Sequence, residues 1–443
     1  MSPGARDPAE GAPGGALDNA LGGALDTRLT AAIASFEARR VALVAHRSVG
    51  RPELPLRWWR QQAHLTAPGS DAAMVRKALE RGTRSMGGLM ADVGVGPRDV
   101  AERLGVDIAT VEELVERPRA APVVVIDLED AQADRADARG VGVAKAAEAL
   151  SYDPAPMAVG RPLRFLRPPG LGTASGVAEL LRVLWAARRP PDAVVMPKVR
   201  DADEVGLLLE LLETAERARS FEAGSIRIAL LIESAPAVLR LADIAERAGP
   251  RLCGLIFGPA DFASDVGLPE VDAEHPAALW ARTQLVAMAA SLNVPAIDGM
   301  TFAFPVADPS ASPGANRAAF LDRLTAVHAD ARAAHAMGMS GKWVGHPAQL
   351  FATLLAFETA VSAEVLETAA SSVAAYSAAR DTGSGVTMID GRMADVATDR
   401  HARMLLRTAT VNGCFDPDRA LALGIVGDVE LDGMRAEVRD RPP

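Results

Sequence analysis

The sequence predicts an α/β fold, a (β/α)8 barrel with a C-terminal helical extension and lid. Three observations predict it. The apolar runs Val123–Ile126, Ala193–Met196, Ile228–Ile232 and Leu255–Phe257 meet charged side chains only at or past their carboxyl ends, the pattern of parallel strands covered on both faces. These runs and four further strand-like segments alternate with helical patterns, giving eight units and hence a closed TIM-type barrel. A chain of 443 residues, 49% hydrophobic, is also long enough for one large core with appendages.

The elements follow in order. Residues 1–24 are rich in Gly, Ala, Pro and Asp without an apolar period and read as a disordered tail. Leu25, Leu29, Ile33, Phe36 and Val41 have the spacing of an amphipathic helix, from about Leu25 to Ala45, that would plug or flank the barrel. His64–Gly69 is the first strand. The segment Arg98–Arg117 adds helix before the second strand, and Val100–Val111 superficially reads as a helix-turn-helix. Asp99, Glu102, Asp107, Glu112, Glu113 and Glu116 would face phosphate with the wrong sign, so a surface helical hairpin is the reading.

Further strands fall near 123–128, 163–166, 193–197, 226–232, 252–257, 294–297 and 341–345. Helical patterns between them include Asp201–Arg217, Ala237–Ala248, Pro276–Leu292 and Arg317–Met337. The barrel with its N-terminal helix and insertion thus occupies 25–350. Residues 351–443 form the extension: an Ala-rich helix to about 380, a Gly/Ser turn at Asp381–Gly385, then a strand-like stretch and short helix from Met388 to about Thr410. Such appendages close over barrel mouths and exclude water.

Composition narrows the function. A formal charge of −10 gives no encouragement to a nucleic-acid partner. Cys253 and Cys414 are the only cysteines, no run reaches transmembrane length, and the start lacks a basic-then-apolar signal. The expectation is a cytoplasmic protein without a membrane partner.

Catalytic groups of parallel barrels come from the carboxyl ends of the strands. Glu233 and Asp261 end strands five and six, so their carboxylates can converge on one Mg²⁺ completed by water and substrate oxygens, or can each cap a helix. Asp127, Glu129 and Asp130 end strand two and would orient bound waters or basic side chains, or be solvated loop acids. Lys198 ends strand four, where it is either a Schiff-base nucleophile or an ion-paired contact for a substrate carboxylate. Arg164 and Arg167 follow strand three. Arg167 lies further past the strand and is the better placed to hold a carboxylate or carbonyl oxygen. His346 is the one histidine at a strand end, as a catalytic group or a supporting hydrogen bonder.

Taken together, Ile126-Asp127-Leu128-Glu129-Asp130-Ala131, Met196-Pro197-Lys198-Val199, Ile232-Glu233-Ser234-Ala235, Phe257–Gly267, Ala296-Ile297-Asp298-Gly299, Gly338–Trp343 with His346–Gln349, and Asp390–Asp395 resemble the HpcH/HpaI aldolase/citrate lyase family, which includes citrate lyase beta subunits and malyl-CoA lyases. The resemblance runs from about Pro122 to Arg403. It implies a barrel of the phosphoenolpyruvate/pyruvate type and Mg²⁺, with Mn²⁺ as a substitute, on Glu233 and Asp261. It further implies substrate binding by Arg167, with Lys198, Glu129 and Asp130 around it, and a catalytic Asp395 delivered by the lid of a neighbouring subunit in a homo-oligomer, trimer or hexamer. The implied chemistry is reversible carbon–carbon cleavage through an enolate, of a 3-hydroxy acid or its CoA thioester, with glyoxylate, oxaloacetate or pyruvate as the 2-oxo acid. Hydrolysis of an acyl-CoA is a close variant. This chain departs from the family in reading Arg167-Pro168-Pro169 where Arg-Ile-Asn is usual, and Glu233-Ser234 where Glu-Thr is usual. Its N-terminal extension and the Arg98–Arg117 insertion leave an unesterified 2-oxo acid or another carrier open in place of CoA. A metal-free aldolase using Lys198 and a non-catalytic subunit binding CoA or an organic acid are the alternatives.

Overall fold

The computed structural model describes residues 31–41, 54–80, 86–116, 121–129, 136–152, 161–383, 385–389 and 391–432. The chain divides into two compact units, Met1–Glu53 and Leu54–Pro443. In the first, residues 31–41 are helical, with Ile33, Phe36 and Val41 all exposed. Leu25, Leu29 and the 1–24 tail lie outside the described residues.

The second unit holds the barrel. Its strands are β1 (Ala63–Pro68), β2 (Val123–Asp127), β3 (Leu163–Arg167), β4 (Ala193–Met196), β5 (Arg227–Ile232), β6 (Leu252–Phe257), β7 (Ala296–Asp298) and β8 (Gly341–Val344). All pair in parallel in sequence order, and β8 closes back on β1 through Ala63↔Lys342 to Leu65↔Val344. The runs read from the sequence are these strands, because burial on both faces removes polar side chains from their middles: every residue of β2, β4 and β6 is buried.

Helix starts carry the signals expected of them. Asp201 caps Ala202–Arg219 by accepting from the Glu204 N–H at 3.0 Å, and Ser312 with Pro313 starts Pro313–Met337 four residues before the expected Arg317. The stretch expected as one helix over 237–248 is two, Ala235–Leu239 and Leu241–Ala248.

The insertion is a pair of short helices, Pro97–Leu104 and Ile108–Glu116, separated by Gly105 in the left-handed region at φ 66°. One face is less superficial than a surface hairpin would be. Val100, Val111 and Leu114 form a second core with Phe320, Leu324 and Phe351 on the helices that follow β7 and β8. Ion pairs Arg317–Asp99 and Arg103–Asp322 pin its rim. Of its acids, Asp99 meets an arginine of the same chain, Arg317.

The expected single helix to 380 is two, Pro347–Glu358 and Ala363–Asp381, bent by 41° where Ser362 starts the second by accepting from the Val365 N–H. An antiparallel hairpin follows, β9 (Thr387–Ile389) and β10 (Arg392–Ala394), and then a helix of 16 residues, Val396–Val411, longer than expected. This extension packs through Leu366, Val373, Leu406 and Phe415 onto Leu56, in the turn that precedes β1. Among the described residues no single helix is long and apolar enough to cross a membrane.

Candidate active site

Parallel register decides which side chains face one another at the carboxyl ends of the strands. Asp127 and Arg167 are register partners at the ends of β2 and β3. The guanidinium takes both oxygens of Asp127, Nε donating to Oδ1 at 2.8 Å and Nη2 to Oδ2 at 2.6 Å. Its Nη1 lies 3.3 Å from Glu129 Oε2, and its central carbon stands 5.2 Å from the centre of the Trp343 ring. The Trp343 indole N–H in turn donates to Thr66 Oγ1 on β1. Four strands therefore fix one positive charge, and a group fixed this way needs no reorganisation when charge develops beside it.

Lys198, directly after β4 and Pro197, has φ 53°, a left-handed conformation that costs a residue with a side chain roughly 1–2 kcal/mol. The turn aims its backbone N–H at Glu233 Oε1, 2.6 Å away. Its ammonium stands 3.4 Å from Asp261 Oδ1 and 3.6 Å from Glu129 Oε1. Backbone strain of this kind gathers at functional sites. An ammonium engaged by carboxylates on two sides is placed for ion pairing, not in the apolar pocket that a Schiff-base amine needs.

Glu233 is 3% exposed. Burial pushes its carboxyl up to about 8, with repulsion from Asp261 and Glu129 adding to the rise and the Lys198 N–H and Arg167 opposing it. Gly258 makes room for it: a Cβ there would stand 2.5 Å from Glu233 Cβ and 2.7 Å from Oε2. Helix capping does not occupy these carboxylates. Ser234, not Glu233, accepts from the Ala237 N–H, and Asp261 lies in the first turn of Pro259–Asp265, which has no side-chain cap.

Two carboxylates at neighbouring strand ends, in motifs with neither histidine nor cysteine, form an all-oxygen donor set that fits Mg²⁺ rather than zinc. The crowding that raises Glu233 is what a divalent cation would relieve. Among the described residues no group of three or more His, Cys, Asp or Glu is arranged to hold a metal. The remaining positions around such an ion would fall to water and substrate.

The other expected residues lie elsewhere. Arg164 turns to the opposite end of the barrel, donating to the Leu150 carbonyl. His346 caps the helix Pro347–Glu358, its Nδ1 accepting from the Ala348 N–H at 3.2 Å. Asp130 lies outside the described residues. Asp395 caps Val396–Val411, accepting from the N–H groups of Ala397 and Thr398, and these bonds hold it below the usual carboxylate range. Among the described residues its hydrogen bonds stay within residues 395–398, and none joins it to the Glu233 cluster.

Two features went unread in the sequence. One is the Trp343–Arg167 stack. The other is a buried charge cluster: Asp298, at the end of β7, receives Arg282 in bidentate fashion at 3.0 and 2.7 Å and Lys342 Nζ at 2.8 Å, while Lys342 also lies 3.1 Å from Asp330. A lysine inside the apolar strand Gly341–Val344 was the available signal, since a buried ammonium demands a partner.

Residues 118–320 match the family model HpcH/HpaI aldolase/citrate lyase. An L-malyl-CoA/beta-methylmalyl-CoA lyase of Cereibacter sphaeroides is 29% identical over 313 residues, spanning 66% of this chain and 88% of that enzyme. A (3S)-malyl-CoA thioesterase of the same species is 28% identical over 303 residues, 67% of this chain and 89% of the relative. Among solved structures, a citrate lyase from Burkholderia xenovorans shares the fold at TM-score 0.55 and 19% identity, over 82% of this chain and 96% of that one. The protein CitE from Mycobacterium tuberculosis, in complex with magnesium, acetoacetate and coenzyme A, does so at TM-score 0.50 and 20% identity, over 79% and 98%.

Proposed function

We propose that the chain is a carbon–carbon lyase of the HpcH/HpaI aldolase/citrate lyase family, that it is Mg²⁺-dependent, and that it acts on a 3-hydroxy acid, as its CoA thioester, through an enolate and a 2-oxo acid of the glyoxylate type. The observation that carries this reading is the pairing of Glu233 and Asp261 on adjacent strand ends beside two fixed cations, Arg167 and Lys198. The names of the relatives, malyl-CoA lyases with a CoA-bound neighbour of the same fold, support the thioester.

Held by Glu233 and Asp261, Mg²⁺ or Mn²⁺ would supply Lewis-acid charge to the oxygens of the 2-oxo acid half. The chain's own residues do the rest. Arg167, clamped by Asp127 and Trp343, keeps a positive charge beside the oxygen that becomes a carbonyl. Lys198 offers its ammonium to the substrate carboxylate. Glu129 lies between the two cations and holds them apart at a set spacing. The remaining need is a proton for the enolate carbon. Asp395 of a second copy of this chain takes a proton from the substrate hydroxyl as that oxygen becomes the carbonyl and then supplies it to the enolate carbon, brought by a hairpin segment whose Val386, Met388 and Met393 are exposed in the single chain.

Titrating chelator-stripped protein with Mg²⁺ by calorimetry, with and without glyoxylate, oxaloacetate or pyruvate, tests the site. Uptake should strengthen with one of these acids and vanish in Asp261→Ala. Unchanged metal affinity in that variant would sink the assignment, and borohydride trapping of Lys198 would replace it. Hydrolysis is the second reading, favoured by the thioesterase relative at nearly equal identity. With L-malyl-CoA as substrate, glyoxylate released in step with acetyl-CoA marks cleavage, whereas free CoA with malate marks hydrolysis.

A further inference from the structure

At the other end of the barrel, around the starts of β3, β4 and β5, lies a cavity of about 440 Å³, within the size range of small-molecule sites. Arg57 enters it from the 3-10 turn Leu56–Trp59, Arg164 from the second residue of β3 and Arg227 from the first residue of β5. Asp192 is the carboxylate that Arg57 and Arg164 share. It accepts from Arg57 Nη2 at 3.1 Å and from the Arg164 backbone N–H at 2.8 Å, with Arg164 Nε 3.7 Å away. Among the described residues Arg227 has no carboxylate contact. Its Nη1 donates to the Pro250 carbonyl and its guanidinium stands over Trp58, 5.1 Å from the ring centre, with Arg57 over the same ring at 5.3 Å. Burial first, and repulsion from Arg57, lower the pKa of Arg227. Ser225, on the same wall, has a buried hydroxyl without a hydrogen-bond partner among the described residues.

A guanidinium carries several N–H donors, and here their acceptors are one carboxylate and a few carbonyls. Four arginines, Arg57, Arg164, Arg189 and Arg227, line the cavity against two acids, Asp192 and Glu222, so that in a chain of net charge −10 it gathers positive charge. We propose that the amino-terminal end of the barrel is a second ligand site, separate from the Glu233 cluster, that binds a compact multivalent oxyanion of the phosphate or pyrophosphate type through Arg57, Arg164 and Arg227. Multivalence follows from the arrangement. Three guanidinium groups around one cavity match an anion with several oxygens, and planar forks suit phosphoryl groups.

The test is calorimetry of the full chain with inorganic pyrophosphate in the presence of chelator, so that no metal bridges the anion to the mouth. We expect saturable binding near one per chain, weakened at least about ten-fold in Arg227→Gln, as for loss of one charge-assisted fork, and unchanged in Asp261→Asn. Arg57→Gln, which alters a turn and not a strand, reads the same loss if Arg227→Gln fails to fold. Pyrophosphate should also raise the melting temperature of the wild type and not that of the arginine variants. Absence of saturable binding, equal binding in the variants, or loss of binding in Asp261→Asn would each overturn the second site. Preference for malonate over pyrophosphate would overturn the phosphoryl assignment.

Discussion

Gly258 puts the proposed metal site to a one-methyl test. With no room for a Cβ beside Glu233, Gly258→Ala must displace that carboxylate. Mg²⁺ affinity is expected to fall at least about ten-fold, equivalent to about 1.4 kcal/mol, and calorimetry on the variant reads it directly. Arg167→Lys keeps the charge but loses the fork onto Asp127 and the stack on Trp343. We expect turnover to drop about 10²-fold, the scale of a lost transition-state donor; wild-type kcat would show that the planar fork has no part in the reaction. Glu129, Lys198, Glu233 and Asp261 were legible in the sequence because each stands where an apolar run ends. Trp343 was not, since an aromatic residue in a strand reads as core, and its contact with Arg167 depends on β8 closing beside β1, which no local pattern records.

Between β7 and β8, the Asp298 cluster ties two strands that share only two register pairs, Ile297↔Gly341 and Asp298↔Lys342. Removing its carboxylate strands Lys342 and Arg282 in the interior, so Asp298→Ala is expected to cost about 3–5 kcal/mol in urea unfolding. The same cluster sets an acid limit. Burial raises the pKa of Asp298, but Lys342 and Arg282 outweigh it and hold the folded value below normal. A depressed folded value means that this stability is present above the unfolded pKa near 4 and lost as pH falls through the lower folded value. Unfolding free energy should therefore decline below about pH 4, and Asp298→Asn should flatten that decline; an identical pH slope in the variant would remove Asp298 from the account. Strands and capped helices were readable here because burial and capping act within a few residues. The break at Thr359–Ser362 carried such a local signal in the Ser362 cap, whereas the partners of the Pro97–Glu116 helices were not readable, because they are decided by distant surfaces such as Phe320 and Phe351.

For the whole molecule, the exposed apolar residues Met388, Met393, Val396 and Met404 of the hairpin and following helix are where a second copy would dock in the proposed oligomer. Met388→Glu with Met393→Glu should yield a smaller species in sedimentation, with turnover lost and Mg²⁺ binding kept. Persistence of both assembly and turnover would exclude the hairpin as the contact. The closure of the barrel bears as well on how the chain is made. β1 pairs with β8, and Leu56, just ahead of β1, shares a hydrophobic cluster with residues from Leu366 to Val426. On the ribosome, the first strand must therefore wait with one edge unpaired until β8, which begins at Gly341, has emerged. That is a long interval of exposure to aggregation, and it makes β8 the element that removes the open edge of β1.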